Sequence, residues 1–324
     1  MIDKVHSEDL ELLGEKIKLG ESKKLNLNIA HLFTDTAVEV PVFITRSKIP
    51  GPTILITSGI HGDEVNGMEI VREVLTHKIN IPARGTIICI PIVNVFGFIN
   101  KSRYFPDGRD LNREFPGSEN GSLASRFAHH FVKEILPLAD LCLDFHTGGG
   151  ERFNAAQIRI EKDNQTAKEL AQIFNAPFTL YVSEILGSYR ETCSKKNIPI
   201  LLNESGKSLN LDKLICKEAL DGIKRVLSHL KMLDTNFEIP IPNKKSVFVT
   251  ENHWIRAEHS GFLHTKINIH DYVTKDQTLA TLSDPYGSKS HLVKASNDGY
   301  IININHAPMV YQGDAIFHIT TKTE

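Results

Sequence analysis

Apolar runs alternating with amphipathic stretches constrain this chain more than any other feature. The runs lie at 53–57, 85–94, 140–145 and 198–203, each bounded by turn residues. The run at 85–94 is apolar enough to be buried on both faces, as strands inside a parallel sheet are. Between the runs the period becomes helical. Val65, Met68, Val71 and Leu75 fall roughly on one face of an expected helix at 64–77. Ser122 is a candidate N-cap for 123–138, which Pro137 ends or kinks. Further helices are expected at 165–174, 189–196 and 211–233, and another strand at 38–45 around Pro41. Residues 1–24, polar with scattered leucines, read as a short helix or a loosely packed lead-in. The stretch 96–121, rich in Gly, Pro, Asn, Asp and Arg, reads as a long functional loop. The alternation predicts an α/β fold, a mixed and largely parallel sheet with helices on both faces.

The pattern changes near residue 236. Pro240 and Pro242 mark 236–245 as a linker, and no helical period follows it. Short β-prone runs are separated by turn signals at Asp271, Asp284-Pro285, Asp298-Gly299 and Gln312-Gly313-Asp314. The expected organisation is one α/β domain at 1–236 and a small all-β domain at 237–324.

Charge and cysteine usage narrow the function classes. Lys+Arg number 37 and Asp+Glu 39, a net charge of -2. That balance argues against a nucleic-acid partner bound by bulk positive charge, while allowing a local basic pocket for an anionic small molecule. No run reaches the roughly 18 to 20 apolar residues of a membrane helix, and the N-terminal stretch has no apolar signal core. A cytoplasmic protein without a membrane partner is expected. Cys89, Cys142, Cys193 and Cys216 form no CxxC pair, so neither a disulfide framework nor a Cys-based zinc site is expected, and Cys89 and Cys142, inside apolar runs, are expected as buried thiols. The sequence leaves the oligomeric state open, a homo-oligomer included.

Three local patterns carry chemistry. In Ser58-Gly59-Ile60-His61-Gly62-Asp63-Glu64 a strand ends, small residues turn the chain, and an imidazole and a carboxylate follow three apart. His146, after the strand at 140–145 and before glycines, is a third donor at a strand end. Two imidazoles and a carboxylate form an open catalytic zinc set, and ligands bind at that edge of an α/β sheet. The second pattern is 103–117, which places Arg103, Arg109, Asn112 and Arg113 on one loop as a carboxylate-binding candidate. Its own Asp107, Asp110 and Glu114 are the competing partners. The third is Glu204 after the strand at 198–203, a carboxylate placed to shuttle a proton. Asp144 shares a side of its strand with His146, to orient a ligand or to serve the structure. His129 and His130 read as ordinary helix residues. The histidines of the β tail show no ligand spacing.

Together, GIHGDE at 59–64, RYFPDGRDLNREFPG at 103–117, LDFHTGG at 143–149 and IPILLNESG at 198–206 resemble the succinylglutamate desuccinylase/aspartoacylase family. The likeness runs from about 38 to 324 and keeps the motif order. It implies a zinc-carboxypeptidase-like fold, one Zn2+ held by His61, Glu64 and His146, and Glu204 as general base and acid. It implies Asn112 and Arg113 as substrate contacts and Arg103 as the group polarising the scissile carbonyl. The spacer before DLNR is longer here and adds Arg109. Arg190 matches a further substrate arginine, at a longer spacing from the glutamate than in aspartoacylase. The implied reaction is hydrolysis of a small N-acyl amino acid or N-acyl amine whose carboxylate the arginines hold. A peptide-trimming metallocarboxypeptidase and a non-catalytic binding protein are the alternatives. The tail resembles a hammerhead or biotinyl-lipoyl-like fold, but Lys289 lacks the setting of a carrier lysine. Trp254 is expected to pack, with Tyr286 or Trp254 otherwise able to influence substrate choice.

Overall fold

Successive residues of the central strands go to opposite cores, which is why those runs are mostly apolar. A computed structural model describes residues 2, 4–31 and 33–324. Its N-terminal strands are β1 (Leu10–Leu12), β2 (Glu15–Ile17), β3 (Ser22–His31), β4 (Ala37–Arg46) and β5 (Thr53–Ser58). Then come α1 (Val65–Thr76), β6 (Thr86–Ile90), α2 (Val95–Asn100), a 3-10 turn at Leu111–Arg113, α3 (Leu123–Glu134) and a 3-10 turn at Leu136–Leu138. The chain continues through β7 (Leu141–Gly148), β8 (Arg152–Ile160), α4 (Gln165–Phe174), β9 (Phe178–Tyr181), α5 (Tyr189–Lys195), β10 (Ile200–Lys207) and α6 (Lys213–His229). The rest is β: β11 (Val247–Arg256), β12 (Gly261–Thr265), β13 (Tyr272–Val273), β14 (Thr278–Ser283), β15 (Ser290–Lys294), β16 (Gly299–Asn305), β17 (Met309–Val310) and β18 (Ala315–Thr323).

Leu55, Ile88, Ile90 and Cys142 join one core with Phe127 and Phe131 of α3 and Tyr189 of α5. Ile54, Ile56, Ile87, Leu141, Leu143 and Phe145 join the opposite core with Ile70 and Val74 of α1, Phe174 of α4 and Ile223 and Leu227 of α6. A strand dealing side chains to both faces in this way is apolar along most of its length, and buried polar exceptions such as Thr57 and Asp144 bond to each other.

The main sheet has 12 strands in the order β13-β16-β18-β11-β9-β8-β10-β7-β5-β6-β4-β3. Parallel pairing joins β6–β5, β5–β7 and β7–β10, and again β8–β9 and β9–β11. The other ladders are antiparallel, so the sheet is mixed as expected but not largely parallel, most of its ladders being antiparallel. The reason is local: the β3–β4 pair and the C-terminal strands connect without the helical crossovers that parallel neighbours need. A further antiparallel pairing of β16 with β8 closes β8, β9, β11, β18 and β16 into a barrel-like ring. Ala155, Phe178, Leu180, Val249 and Ile302 cluster in a core of their own on these strands. A second sheet, β15-β14-β12-β17, shares a third core with Ile301, Ile304, Phe317 and Ile319.

The N-terminal lead-in is strand, not helix. Leu10 and Leu12 are buried at a period of two, and Ile17, opposite Leu10, is buried across a turn in which Leu13 and Gly14 take positive φ. The start of that stretch includes Met1 and Asp3, outside the described residues. The stretch read as a loop at 96–121 contains most of α2, capped where the Asn94 side chain accepts from the Gly97 N–H at 2.8 Å. All four cysteines are buried and free. Among the described residues no helix is long and apolar enough to cross a membrane.

Candidate active site

β5 ends at Ser58, and Gly59, at φ +68°, turns the chain toward α1. A Cβ on Gly62 would stand 1.9 Å from the Gly97 carbonyl carbon, so only glycine lets α2 press against this turn. Glu64 occupies the N-cap position of α1, yet its side chain makes no capping bond. It reaches two imidazoles instead. Glu64 Oε1 lies 2.6 Å from His61 Nδ1 and Oε2 lies 2.8 Å from His146 Nδ1. His146 comes from β7, the parallel neighbour of β5. The candidate ligand atoms of His61, Glu64 and His146 all lie within 4.8 Å of one another, and all three residues are buried.

The outer nitrogens decide how this cluster works. His61 Nε2 faces Asp110 Oδ1 at 3.2 Å, and His146 Nε2 faces Asp144 Oδ2 at 2.8 Å. Carboxylates only accept, so each outer nitrogen carries a proton and donates it. In the neutral tautomers, both Nδ1 atoms then turn lone pairs toward the Glu64 carboxylate, only 3.3 Å from each other. Converging lone pairs repel unless a proton or a cation sits among them. Burial alone would lower the imidazole pKa values. The neighbouring carboxylates outweigh it: Glu64 and Asp110 raise His61, and Asp144 and Glu64 raise His146. Burial likewise opposes charge on Glu64, and the two imidazoles overcome it and hold its carboxyl far below the usual range. The donor set, and the carboxylates behind both imidazoles, fit a divalent cation.

Glu204 stands level with His146 in the parallel β10–β7 register. Its Oε1 accepts from Arg159 Nη1 at 3.1 Å and its Oε2 from Asn154 Nδ2 at 2.9 Å. Arg103 donates to Asp110 Oδ2 through Nε and Nη2 at 3.1 and 2.9 Å, and through Nη1 to Glu64 Oε1 at 3.4 Å. Asn112 is held by the Tyr189 N–H, which its Oδ1 accepts at 2.9 Å. Arg113 donates to the Asn112 carbonyl, and Arg190 to the carbonyls of Val182 and Ser183.

Glu204, Arg103, Asn112, Arg113 and Arg190 line one cleft of about 310 Å³ together with the His61–Glu64–His146 cluster. Arg109 is not among them. It is half-exposed and pairs with Glu114 and Asp107 of its own loop, at 3.2 and 3.8 Å. The cleft also takes in residues that were not anticipated: Arg152, Asn154 and Arg159 from β8, and Asn303 from β16. Polar residues at 152, 154, 157 and 159 hinted at a two-sided strand. Trp254, expected to pack, does stack on His318 at 4.4 Å and 7°, and it lines the cleft as well. A larger groove of about 640 Å³, between α6, residues 240–245 and the pair His270 and Tyr300, holds none of the clustered ligands.

The family model described as "Succinylglutamate desuccinylase/Aspartoacylase catalytic domain" matches residues 50–230. An N-alpha-acetyl-L-2,4-diaminobutyric acid deacetylase of Halomonas elongata is 27% identical over 304 residues, covering 89% of this chain and 87% of its own. The product-bound structure of the ectoine utilization protein EutE (DoeB) from Ruegeria pomeroyi has a TM-score of 0.82 at 23% identity, with 99% of both chains covered. A succinylglutamate desuccinylase/aspartoacylase structure from Rhodobacter sphaeroides gives 0.80 at 21% identity, covering 94% of this chain and 96% of the other.

Proposed function

This chain belongs to the succinylglutamate desuccinylase/aspartoacylase family, hydrolases of amide bonds other than peptide bonds, and on that premise we propose that it is a zinc-dependent deacylase of a small N-acyl amino acid or related N-acyl amine carrying a carboxylate. The observation that carries the reading is the buried convergence of His61, Glu64 and His146 beside Glu204, in a cleft walled by guanidinium groups. Two imidazoles and one carboxylate leave a cation open for exogenous ligands, the arrangement of catalytic rather than structural zinc. When bound, the ion would supply Lewis acidity toward the acyl carbonyl and an acidified water.

The chain's own residues divide the remaining work. Glu204 takes the proton of the attacking water and returns it to the departing nitrogen. Arg103, anchored on Asp110 and directed at Glu64, supplies positive charge where the carbonyl oxygen becomes negative. Arg113 and Arg190 bond only backbone carbonyls and form no ion pair among the described residues, so each keeps a charge for a substrate carboxylate, with Asn112 fixing the loop beneath. A cleft of about 310 Å³ suits a small ligand. Residues 1–236 supply this chemistry and residues 237–324 form a β unit that walls the cleft.

The test is amine release from a panel of N-acyl amino acids and short peptides, starting with N-α-acetyl-L-2,4-diaminobutyric acid because the Halomonas relative bears that name. Metal-stripped, zinc-reconstituted and Glu204→Gln proteins are compared. Release is expected only with metal, and the Glu204→Gln variant should lose at least about 100-fold in kcat while retaining its zinc. Full activity after stripping, or in that variant, would refute the mechanism. Trimming of peptides in place of deacylation would refute the substrate class.

A further inference from the structure

β16 pairs with β8 so that Asn303 stands opposite Asn154, and β8 pairs with β10 so that Asn154 stands opposite Gly206, across a bulge from Glu204. The side chains continue these ladders. Asn303 Nδ2 donates to Asn154 Oδ1 at 2.7 Å, and Asn154 Nδ2 donates to Glu204 Oε2 at 2.9 Å. Both amides are almost fully buried, 1% exposed at Asn303 and 3% at Asn154.

The direction of this chain of bonds follows from chemistry. An ionised carboxylate accepts and never donates, so Asn154 must turn its NH2 toward Glu204. Its carbonyl then faces Asn303, which must turn its own NH2 to meet it. The remaining Asn303 oxygen is left buried without a partner among the described residues. Burying an unpaired carbonyl is unfavourable, so its retention points to a role for the donor at the other end of the same amide. Arg159 holds the second Glu204 oxygen, but it is a long, partly exposed side chain making one contact there.

We infer that Asn303, acting through Asn154, is a positioning residue for the Glu204 carboxylate, so that a strand of the C-terminal β unit aims the proton-transferring group. The inference rests on the reading of Glu204 given above. Asn303→Asp keeps the shape and replaces the donor by an acceptor, and Asn303→Leu removes the polarity at similar volume. Each should lower kcat about 10- to 100-fold on whichever panel compound the wild type hydrolyses fastest, with KM within about threefold, as expected for a displaced catalytic group. In a Glu204→Gln background the Asn303→Leu change should cost nothing further. Crystal structures of wild type and Asn303→Asp should show the Glu204 carboxylate turned off Asn154 in the variant.

Unchanged kcat, a rise in KM at constant kcat, or an undiminished loss in the Glu204→Gln background would each overturn the inference. If Glu204→Gln itself remains active, the base assignment falls. The crystallographic comparison then judges the positioning alone, and a Glu204 carboxylate still bound to Asn154 in Asn303→Asp rejects it.

Discussion

Asp144 never touches the cluster's centre, yet its two oxygens settle what His146 can do there. One accepts the His146 Nε2 proton at 2.8 Å and the other the Thr57 hydroxyl at 2.7 Å. The first bond fixes the tautomer, and the second fixes the carboxylate. Asp144→Asn leaves the shape intact but makes that tautomer depend on which way the amide turns. Zinc affinity should fall about 10- to 100-fold, measured by chelator competition, with the fold unchanged by circular dichroism. An unaltered affinity would remove Asp144 from the site. Asp110 does the same for His61 and also anchors Arg103. The candidate ligands could be read from their motifs because both histidines stand close to strand ends and glycines, with Glu64 three residues after His61. The role of Asp110 could not, because a carboxylate on an arginine-rich loop looks like a local counter-charge until the loop is folded over His61.

Among the elements, β18 carries an unusual burial. His318 lies under Trp254, its Nε2 donating to Asn252 Oδ1 at 2.7 Å, and its Nδ1 has no partner among the described residues. Burial first, then the charge of Arg159 and of His253, push its pKa down to about 3. An unfolded histidine titrates near 6.5. Because the folded value is the lower one, the unfolded state takes up the proton first as pH falls. The stabilisation is therefore complete above about pH 6.5 and is lost progressively toward pH 3, by at most about 1.4 kcal/mol per pH unit. His318→Gln should flatten the dependence of Tm on pH between about 6.5 and 4, whatever it does to Tm at neutrality. Parallel wild-type and variant curves across that window would refute the assignment. α1 is legible from its 3.6-residue period and α3 from its Ser122 cap, and α4, α5 and α6 fall where helices are expected at 165–174, 189–196 and 211–233. β9 is four residues long and the polar residues of β8 at 152, 154, 157 and 159 fall on both of its faces, so neither strand carries a clean period-two signal.

For the whole molecule, the ring β8-β9-β11-β18-β16 ties the C-terminal strands to those nearest the cleft. Removing residues 237–324 would expose Phe178, Leu180 and Ala155, leave β8 and β9 with unpaired edges, and strip Trp254 and Asn303 from the cleft. A fragment ending at 236 should aggregate or lose activity more than 100-fold, read by size-exclusion chromatography and amine release, because open apolar edges seek new partners. A monomeric, fully active fragment would contradict this. The apparent break in sequence character at 236 reflects the change from crossovers to hairpins, and the hydrogen-bonded sheet runs on past it.

What the sequence determined by itself was local: which runs alternate at a period of two or of 3.6, where strands end, and which donors stand at those ends. These follow from spacings of a few residues. Tertiary structure alone decided the sheet's mixed pairing, the exclusion of Arg109 by its own loop's acids, and the amide chain to Glu204. The Asn303–Asn154 bond joins residues 149 apart. Contacts at that distance depend on which strands become neighbours, and no short-range pattern encodes it.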